Sequence, residues 1–572
     1  MIKYLFCLQL IVTAAVSAQP KDPAAIGASV INRVMQDCSF ELSYTEQKPS
    51  LDIQVLDFSE EYCGTGIAYA LSYLSSPSDT TLLFGVSHHS PLSISVNSAV
   101  VYRTENEKTF YFREPAYGVF EFNDSLRISV KKGYNTIVVK TRVTDNNSRV
   151  YLREITPAET DALTSFSLLP ANDSTKSSPW LFLGLLPGNS LDQPLEPDSV
   201  YAPTYSFHST DYAWKHAATK YLMTALPSRH AVYQREPYSE WNYPNGILMF
   251  SILQFGKEQR KPAYVDFVKQ YCDFTVKNLS LFRTQVQDRH AFRGFDYRIF
   301  RKSMLDDAGS PPLPFVQLLL DSKTADYKPL VDSMALYVLH GQTTLDDGTL
   351  CRIEPEAYTI WADDLFMSVP LLLRYASLTR DGGIYDMIAK QIINFQKYLY
   401  NPKTGLYTHG YFVRTGKPSE VFWSRANGWV VWAMSEALLY LPERHKDYQR
   451  IKKIFQQHIA GLASCQGESG MWHQVLNDPS TYEESSSTAM FTIALARGVR
   501  NRWIDQKYKT NLDRAWRALQ KNISDDGVVK NICRGTGLGR TNGYYAEREK
   551  FLNDPRGLGA IITACGEMSR QK

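Results

Sequence analysis

The chain carries two different hydrophobic periods. Between residues 50 and 155, apolar and polar positions alternate in short runs, as in "TLLFGVSHHSPLSISVNSAVVYR". A period of two places one face of an extended strand on a core. The stretch "LRISVKKGYNTIVVKTRV" holds two such runs around Lys132-Gly133-Tyr134-Asn135 and predicts a hairpin. Short strands with frequent turns indicate an antiparallel β-sandwich. Residues 156–202 are rich in Pro, Ser and Asp, the composition of a linker crossing the surface.

After residue 205 the apolar positions recur at intervals of three and four. "AYVDFVKQYCDFTVKNL", "TADYKPLVDSMALYVLHG", "GGIYDMIAKQIINFQKYLY", "ANGWVVWAMSEALLYLP" and "DYQRIKKIFQQHIAGLA" are all amphipathic. About eleven or twelve such segments come in pairs, parted by loops rich in Gly, Pro and Trp, which suggests a closed ring of helical hairpins, an (α/α)6 barrel. Such a ring gathers one end of each inner helix around a central pocket. Functional residues are then expected where a loop runs into a helix.

A chain of 572 residues exceeds what one core serves, in keeping with two domains. Its net charge of +3 argues against a nucleic-acid binder working by phosphate neutralisation. The aromatic share is high at 13%, and Tyr and Trp faces suit sugars as well as cores. The start reads as a secretory signal: Lys3, then the apolar "YLFCLQLIVTAAV", then small residues for cleavage after Ala18. That apolar run is too short to span a membrane, and no later segment reaches the length needed. The expected product is exported and soluble, with no membrane partner. The predicted organisation is a signal peptide over 1–18, a sandwich with linker over 19–203, and the barrel over 204–572. Beyond the signal, no two cysteines form a CxxC pair; Cys38 and Cys63 are the one pair near enough in sequence to suggest a bridge.

Candidate chemistry sits at the helix starts. In "TIWADDLFMSVPLLL", Asp363 and Asp364 follow Trp361. An acid there serves as a cap or favours the helix dipole, by about 0.3 to 1 kcal/mol. A proton donor at the same place needs burial or a second carboxylate to raise its pKa. Pro370 inside the segment removes a helical hydrogen bond, a cost that points to a functional demand. A second acid pair, Asp306 and Asp307, precedes the helical run of "KSMLDDAGSPPLPFVQLLL". In "VFWSRANGWVVWAM", Trp423 and Arg425 lie two apart, suited to stack on a sugar and fork onto its carboxylate. "GLYTHGYF" adds His409, "GMWHQVLNDPSTYEESSSTAMF" adds Trp472 and His473, and "EWNYPNGILMF" adds Trp241 and Tyr243. Metal-binding spacing, a nucleophile elbow and phosphate-binding loops are all missing from the sequence, so no metal is expected.

In order, "WNYPNG", "LDDAGSP", "IWADDLFMSVPLLL", "GLYTHGYF", "FWSRANGW", "GMWHQVLNDPSTYEESSSTAMF" and "DPRGLGA" resemble glycoside hydrolase family 105. These are the unsaturated rhamnogalacturonyl hydrolases and their relatives, near the unsaturated glucuronyl hydrolases of family 88. The resemblance covers residues 235 to 570, not the N-terminal strands. It implies an (α/α)6 barrel and a substrate left by a polysaccharide lyase: an oligosaccharide whose non-reducing end is a 4,5-unsaturated uronic acid. It implies that an Asp protonates C4, that water adds at C5, and that no cofactor takes part. It places the catalytic Asp on Asp363, the partner acid on Asp307 rather than Asp306, and substrate contacts on Tyr243, Trp361, His409, Trp423, Arg425 and Trp472. It implies work in pectin or rhamnogalacturonan degradation, and the periplasm as location.

One stretch departs from the family pattern. Where an aromatic and a His commonly precede the catalytic Asp by some eleven residues, "GTLCRIEPEAYTIWAD" has Cys351 and Arg352. Arg352 is expected to meet the uronate. Two other readings stand beside this one: a polysaccharide lyase on a helical toroid, and a carbohydrate-binding protein without catalysis.

Overall fold

A computed structural model of the chain describes residues 22–47, 53–108, 112–113, 121–144, 148–155, 165–167, 179–192, 204–216, 222–227, 237–288, 294–322 and 325–571. The signal peptide expected at 1–18 and much of the expected linker lie outside the described residues.

Among the described residues the helical body holds twelve principal helices in two sets. The inner set is α2 (Tyr243–Glu258), α4 (Leu313–Ser322), α6 (Asp364–Thr379), α8 (Ser424–Tyr440), α10 (Ser485–Arg500) and α12 (Pro555–Ser569). The outer set is α3 (Pro262–Arg283), α5 (Lys328–Leu336), α7 (Gly382–Leu399), α9 (Tyr448–Ser464), α11 (Lys509–Leu519) and α1 (Pro23–Asp37). Each inner helix packs on the next, and α12 packs back on α2. Each outer helix lies against the inner set, α1 against α12. The five amphipathic segments picked out by their period fall on α3, α5, α7, α8 and α9. The inner helices are buried nearly all round, so their sequences lose the polar stripe; α8 is buried from Ser424 to Leu438 without a break.

The first helix corrects the expected division of the chain. Ile26, Val30, Ile31 and Val34 of α1 belong to the same hydrophobic core as the inner helices, although the sequence placed 19–203 in a sandwich and linker. After α1, strand β1 (Leu42–Gln47) runs out towards the sandwich. Strand β11 (Leu222–Pro227) returns antiparallel beside it, with Leu42 opposite Pro227. The sandwich is therefore an insertion between the first and second helices of the helical body.

The sandwich packs a four-stranded sheet on a seven-stranded one. The first holds β2 (Ile53–Asp57), β9 (Arg149–Glu154), β4 (Thr80–His88) and β7 (Asp124–Val130) in that order. The second runs from Lys215–His216 through β10 (Leu181–Leu186), β3 (Gly66–Ser76), β8 (Gly133–Val143) and β5 (Leu92–Val96) to β6 (Ala99–Thr104), with Ser165–Ser167 also on β3. The predicted hairpin is not one: β7 pairs β4 and β8 pairs β3 and β5, so the chain crosses between sheets at Lys131-Lys132. Both runs alternate because each turns one face to the shared core, where Ile128 and Val130 meet the cluster that holds Ile137 and Val139. Part of the expected linker is β10, with Phe182 and Leu183 buried. Cys38 and Cys63 are both free thiols.

Candidate active site

The N-termini of α2, α6, α8 and α12 converge on a cavity of about 310 Å³. Tyr243 opens α2, Asp363 and Trp423 stand at the N-caps of α6 and α8, and Arg556 lies in the first turn of α12; all four line the cavity. Helix N-termini carry partial positive charge and favour an anion. Five arginines add to it: Arg298, Arg301, Arg352, Arg534 and Arg556. Against them stand Asp306, Asp307 and Asp363.

Asp363 is not a cap. Its side chain makes no capping hydrogen bond to α6, whereas Asn242, Glu484 and Asp554 all cap their helices. Its Oδ2 lies 3.1 Å from His409 Nε2, and neither atom has a formed hydrogen bond. That loose geometry is common before substrate closes a site. His409 is fully buried, with its ring against Trp361 and Trp423 at 5.3 and 4.6 Å. Burial pushes the Asp363 carboxyl up, but His409 and Arg352 outweigh it and hold it below the ordinary carboxylate value.

Arg352 sits between acids. It binds both oxygens of Asp364, at 2.5 Å to Oδ1 through Nη2 and 2.9 Å to Oδ2 through Nε, and it reaches Asp306 Oδ1 at 3.1 Å. Its guanidinium lies over the Trp361 ring, 4.3 Å from the centroid. Burial pushes Asp364 up to about 6 and raises Asp306, each despite Arg352. The neighbouring carboxylates repel one another, which adds to the effect of burial in favouring the protonated form of Asp306 and Asp364.

The acid pair in "LDDAGSP" lies on a short helix, Leu305–Ala308. A Cβ on Gly309 would fall 1.4 Å from the Met367 carbonyl oxygen, so only glycine lets this turn rest on α6 beside Asp363. The two acids then part. Asp307 is clamped by Arg301 at 2.7 and 2.9 Å and by the Ser303 N–H, leaving 1% of its side chain exposed. Asp306 keeps 20%. Asp307→Asn is expected to cost about 3 to 5 kcal/mol of stability by stranding the Arg301 charge. Asp306→Asn is expected to lower kcat by about 10² or more and melt near wild type. Thermal melts and initial rates of the two variants check this; the reverse pattern would return the partner role to Asp307.

The other expected residues divide. Tyr243, Trp361, Trp423 and Arg352 line the cavity, and the indole N–H of Trp423 is buried without a partner. Arg425 does not line it. Its Nη1 and Nη2 donate to the carbonyls of Cys533 and Arg534 at 2.5 and 2.6 Å, so the guanidinium holds the loop that bears Arg534 and Gly535. Trp472 is fully buried, donates to the Leu462 carbonyl at 2.7 Å and meets Phe491, away from the cavity. It cannot stack on a sugar there. Arg534, Arg556, Tyr297 and Arg298, which line the cavity, were missed; Tyr545, a candidate from "GYYAEREKFLNDPRGLGA", touches His409. Arg556 lies in "DPRGLGA", and "CRGTGLGRTNG" signals by its glycines a loop whose backbone comes close to something.

Residues 214–572 match the family described as Glycosyl Hydrolase Family 88. The chain is similar to the unsaturated rhamnogalacturonyl hydrolase YesR of Bacillus subtilis, 24% identical over 347 residues, which span 58% of this chain and 90% of that protein. It is also similar to an unsaturated 3S-rhamnoglycuronyl hydrolase of Alteromonas sp., 31% identical over 214 residues, 36% of this chain and 50% of that one. Among solved structures, a family 105 glycoside hydrolase of C. acetobutylicum superposes with a TM-score of 0.52 at 22% identity, over 58% of this chain and 94% of that chain. A possible family 105 member from Klebsiella pneumoniae gives 0.51 at 22%, over 61% and 86%. These two likenesses are of fold.

Proposed function

The chain belongs to glycosyl hydrolase family 88, its matched region holds every residue that lines the cavity, and on that premise we propose that it removes 4,5-unsaturated uronic acids from the non-reducing ends of oligosaccharides. The ring of helix pairs is then an (α/α)6 barrel, and the leader sequence directs the enzyme to export, into the periplasm where the cell has one. The observation that carries the reading is Asp363: a half-buried acid that caps nothing, lies 3.1 Å from His409 and faces a cavity rich in arginine.

In this reading the uronate carboxylate enters among the helix N-termini and arginines. Asp363 gives its proton to C4 of the C4=C5 bond, and positive charge develops at C5 and the ring oxygen. Water adds at C5 and returns a proton to the Asp363 carboxylate. The C5 hemiketal opens and the aglycone leaves. Asp306 replaces Asp307 as the partner acid in this reading, because its carboxylate is the open one. Both relatives carry a rhamnosyl unit in their names, so we place the substrate among uronyl-rhamnose fragments, of the kind a lyase leaves from rhamnogalacturonan.

The test follows the ultraviolet absorbance of the conjugated double bond on lyase-generated fragments of rhamnogalacturonan, ulvan and glycosaminoglycan. Absorbance is expected to fall, fastest on a rhamnose-linked fragment. A rise on intact polysaccharide would make the protein a lyase, and a flat trace on every fragment would end the hydrolase reading.

A further inference from the structure

We infer that Tyr545 is a positioning residue that fixes the proton of His409 on Nε2 and thereby keeps the acidic proton of Asp363 on the oxygen open to the cavity. The inference rests on Asp363 as the proton donor proposed above.

Tyr545 lies on the short helix Asn542–Ala546, is fully buried and does not line the cavity. Any effect it has on the reacting atoms passes through His409. Its Oη has three polar neighbours: His409 Nδ1 at 2.5 Å, the Gly539 N–H at 2.9 Å and the Gly539 carbonyl at 3.3 Å. The Gly539 N–H donates to Oη. A phenol has one proton to give, and the shorter contact takes it to Nδ1. A donor at Nδ1 makes that nitrogen the acceptor, so a neutral imidazole carries its proton on Nε2. Burial pushes the phenol far above its ordinary value, so it is a fixed donor and not a relay.

Nε2–H is then on the side of Asp363 Oδ2, 3.1 Å away, and realignment of this pair completes a hydrogen bond to that oxygen. Oδ2 is sealed from solvent and has no other partner. The carboxylic acid accepts at Oδ2 and bears its proton on Oδ1. After that proton passes to C4, the same Nε2–H stabilises the new carboxylate; the protons of Tyr545 and His409 stay where they were. Without the phenol, His409 is free to carry its proton on Nδ1. Its bare Nε2 then draws the acid proton to Oδ2, on the sealed side.

Two measurements test this. In protein with ¹⁵N-labelled histidine, His409 is expected to show a protonated Nε2 and a bare Nδ1, and Tyr545→Phe to move it towards the other tautomer. In kinetics, Tyr545→Phe is expected to lower kcat by about 10- to 100-fold, as a misplaced proton does, with little change in KM. In a His409→Gln background, whose amide N–H has no tautomer, the same change is expected to cost less than about twofold. A wild-type His409 protonated on Nδ1, or an equal loss in both backgrounds, would overturn the inference and leave Tyr545 a packing residue. Failure of the hydrolase reading shows separately, as no absorbance loss by the wild type, with the histidine spectrum still readable.

Discussion

Asp363→Asn is expected to lower kcat by about 10² to 10⁴, the range that loss of a general acid and base costs, while the protein still folds. The amide has the shape of the acid. No cap is lost, because the Asp363 side chain makes no capping bond to α6. One negative charge leaves a cluster in which Asp306 and Asp364 already crowd Arg352, and that relief offsets the lost pairing with His409. KM is expected to change little, since the arginines and helix N-termini that attract the uronate stay in place. The readout is single-wavelength bleaching of the substrate, with circular dichroism as the fold control. An equal fall in absorbance with wild type and variant would move the proton donor to Asp306, whose carboxyl burial already raises.

Its surroundings hold Asp363 below the ordinary carboxylate value, which suits a base more than an acid. The substrate itself changes this. A uronate arriving beside three carboxylates adds like charge and displaces water, and both raise the pKa of the acids it meets. The cluster then takes up or redistributes a proton as the uronate binds; Asp363 is the carboxylate once C4 is protonated and recovers its proton from the attacking water.

Which parts of this were legible in the sequence follows from how many neighbours each claim needs. The outer helices α3, α7 and α9 show their period because half of each faces water. Helix α1 has the same pattern at Ile26, Val30, Ile31 and Val34. Its partner α12 lies at the far end of the chain, and nothing in the spacing reveals that. The strands β7 and β8 alternate alike whether they pair with each other or lie on opposite sheets. Asp363 was legible because an acid, an indole and a helix start occur together. Asp306 and Asp307 differ by one step around a short helix, and Arg301 decides between them from outside the motif. Arg425 and Trp472 are of the residue types that bind sugars, but long-range backbone carbonyls claim their polar groups.

Glu436→Gln is expected to cost about 3 to 5 kcal/mol of stability, the range for breaking a buried ion pair from one side, and to leave kcat of the folded protein near wild type. The opposite end of the inner helices carries a closed chain of polar contacts. Gln254 of α2 meets Gln317 of α4, which accepts from Arg374 of α6. Arg374 donates to Glu436 of α8 at 2.9 Å, and Arg497 of α10 donates to the same carboxylate at 2.7 Å. Arg497 also binds Glu567 of α12, and Arg570 returns to Glu258 of α2. All six inner helices are thus tied in one circuit. Glu436 is 2% exposed and joins two guanidiniums, so an amide there leaves Arg374 without its carboxylate and Arg497 with Glu567 alone. Asp363 and Arg374 lie eleven residues apart on α6, about 16 Å along the axis, so the circuit can weaken without moving the acid. Burial raises the Glu436 carboxyl, but Arg497 and Arg374 overrule it and hold it below the ordinary value. A depressed folded pKa gives stability that is present above the unfolded value and lost as the pH falls towards the folded one. Acid unfolding of the wild type below the ordinary glutamate range is therefore expected to be steeper than that of Glu436→Gln. Replacing Arg374, Glu436 and Arg497 together with apolar residues of similar size is expected to regain much of the loss. A variant that melts with the wild type, or one that loses activity before it loses structure, would show that the circuit does not act as a structural tie separate from the acid.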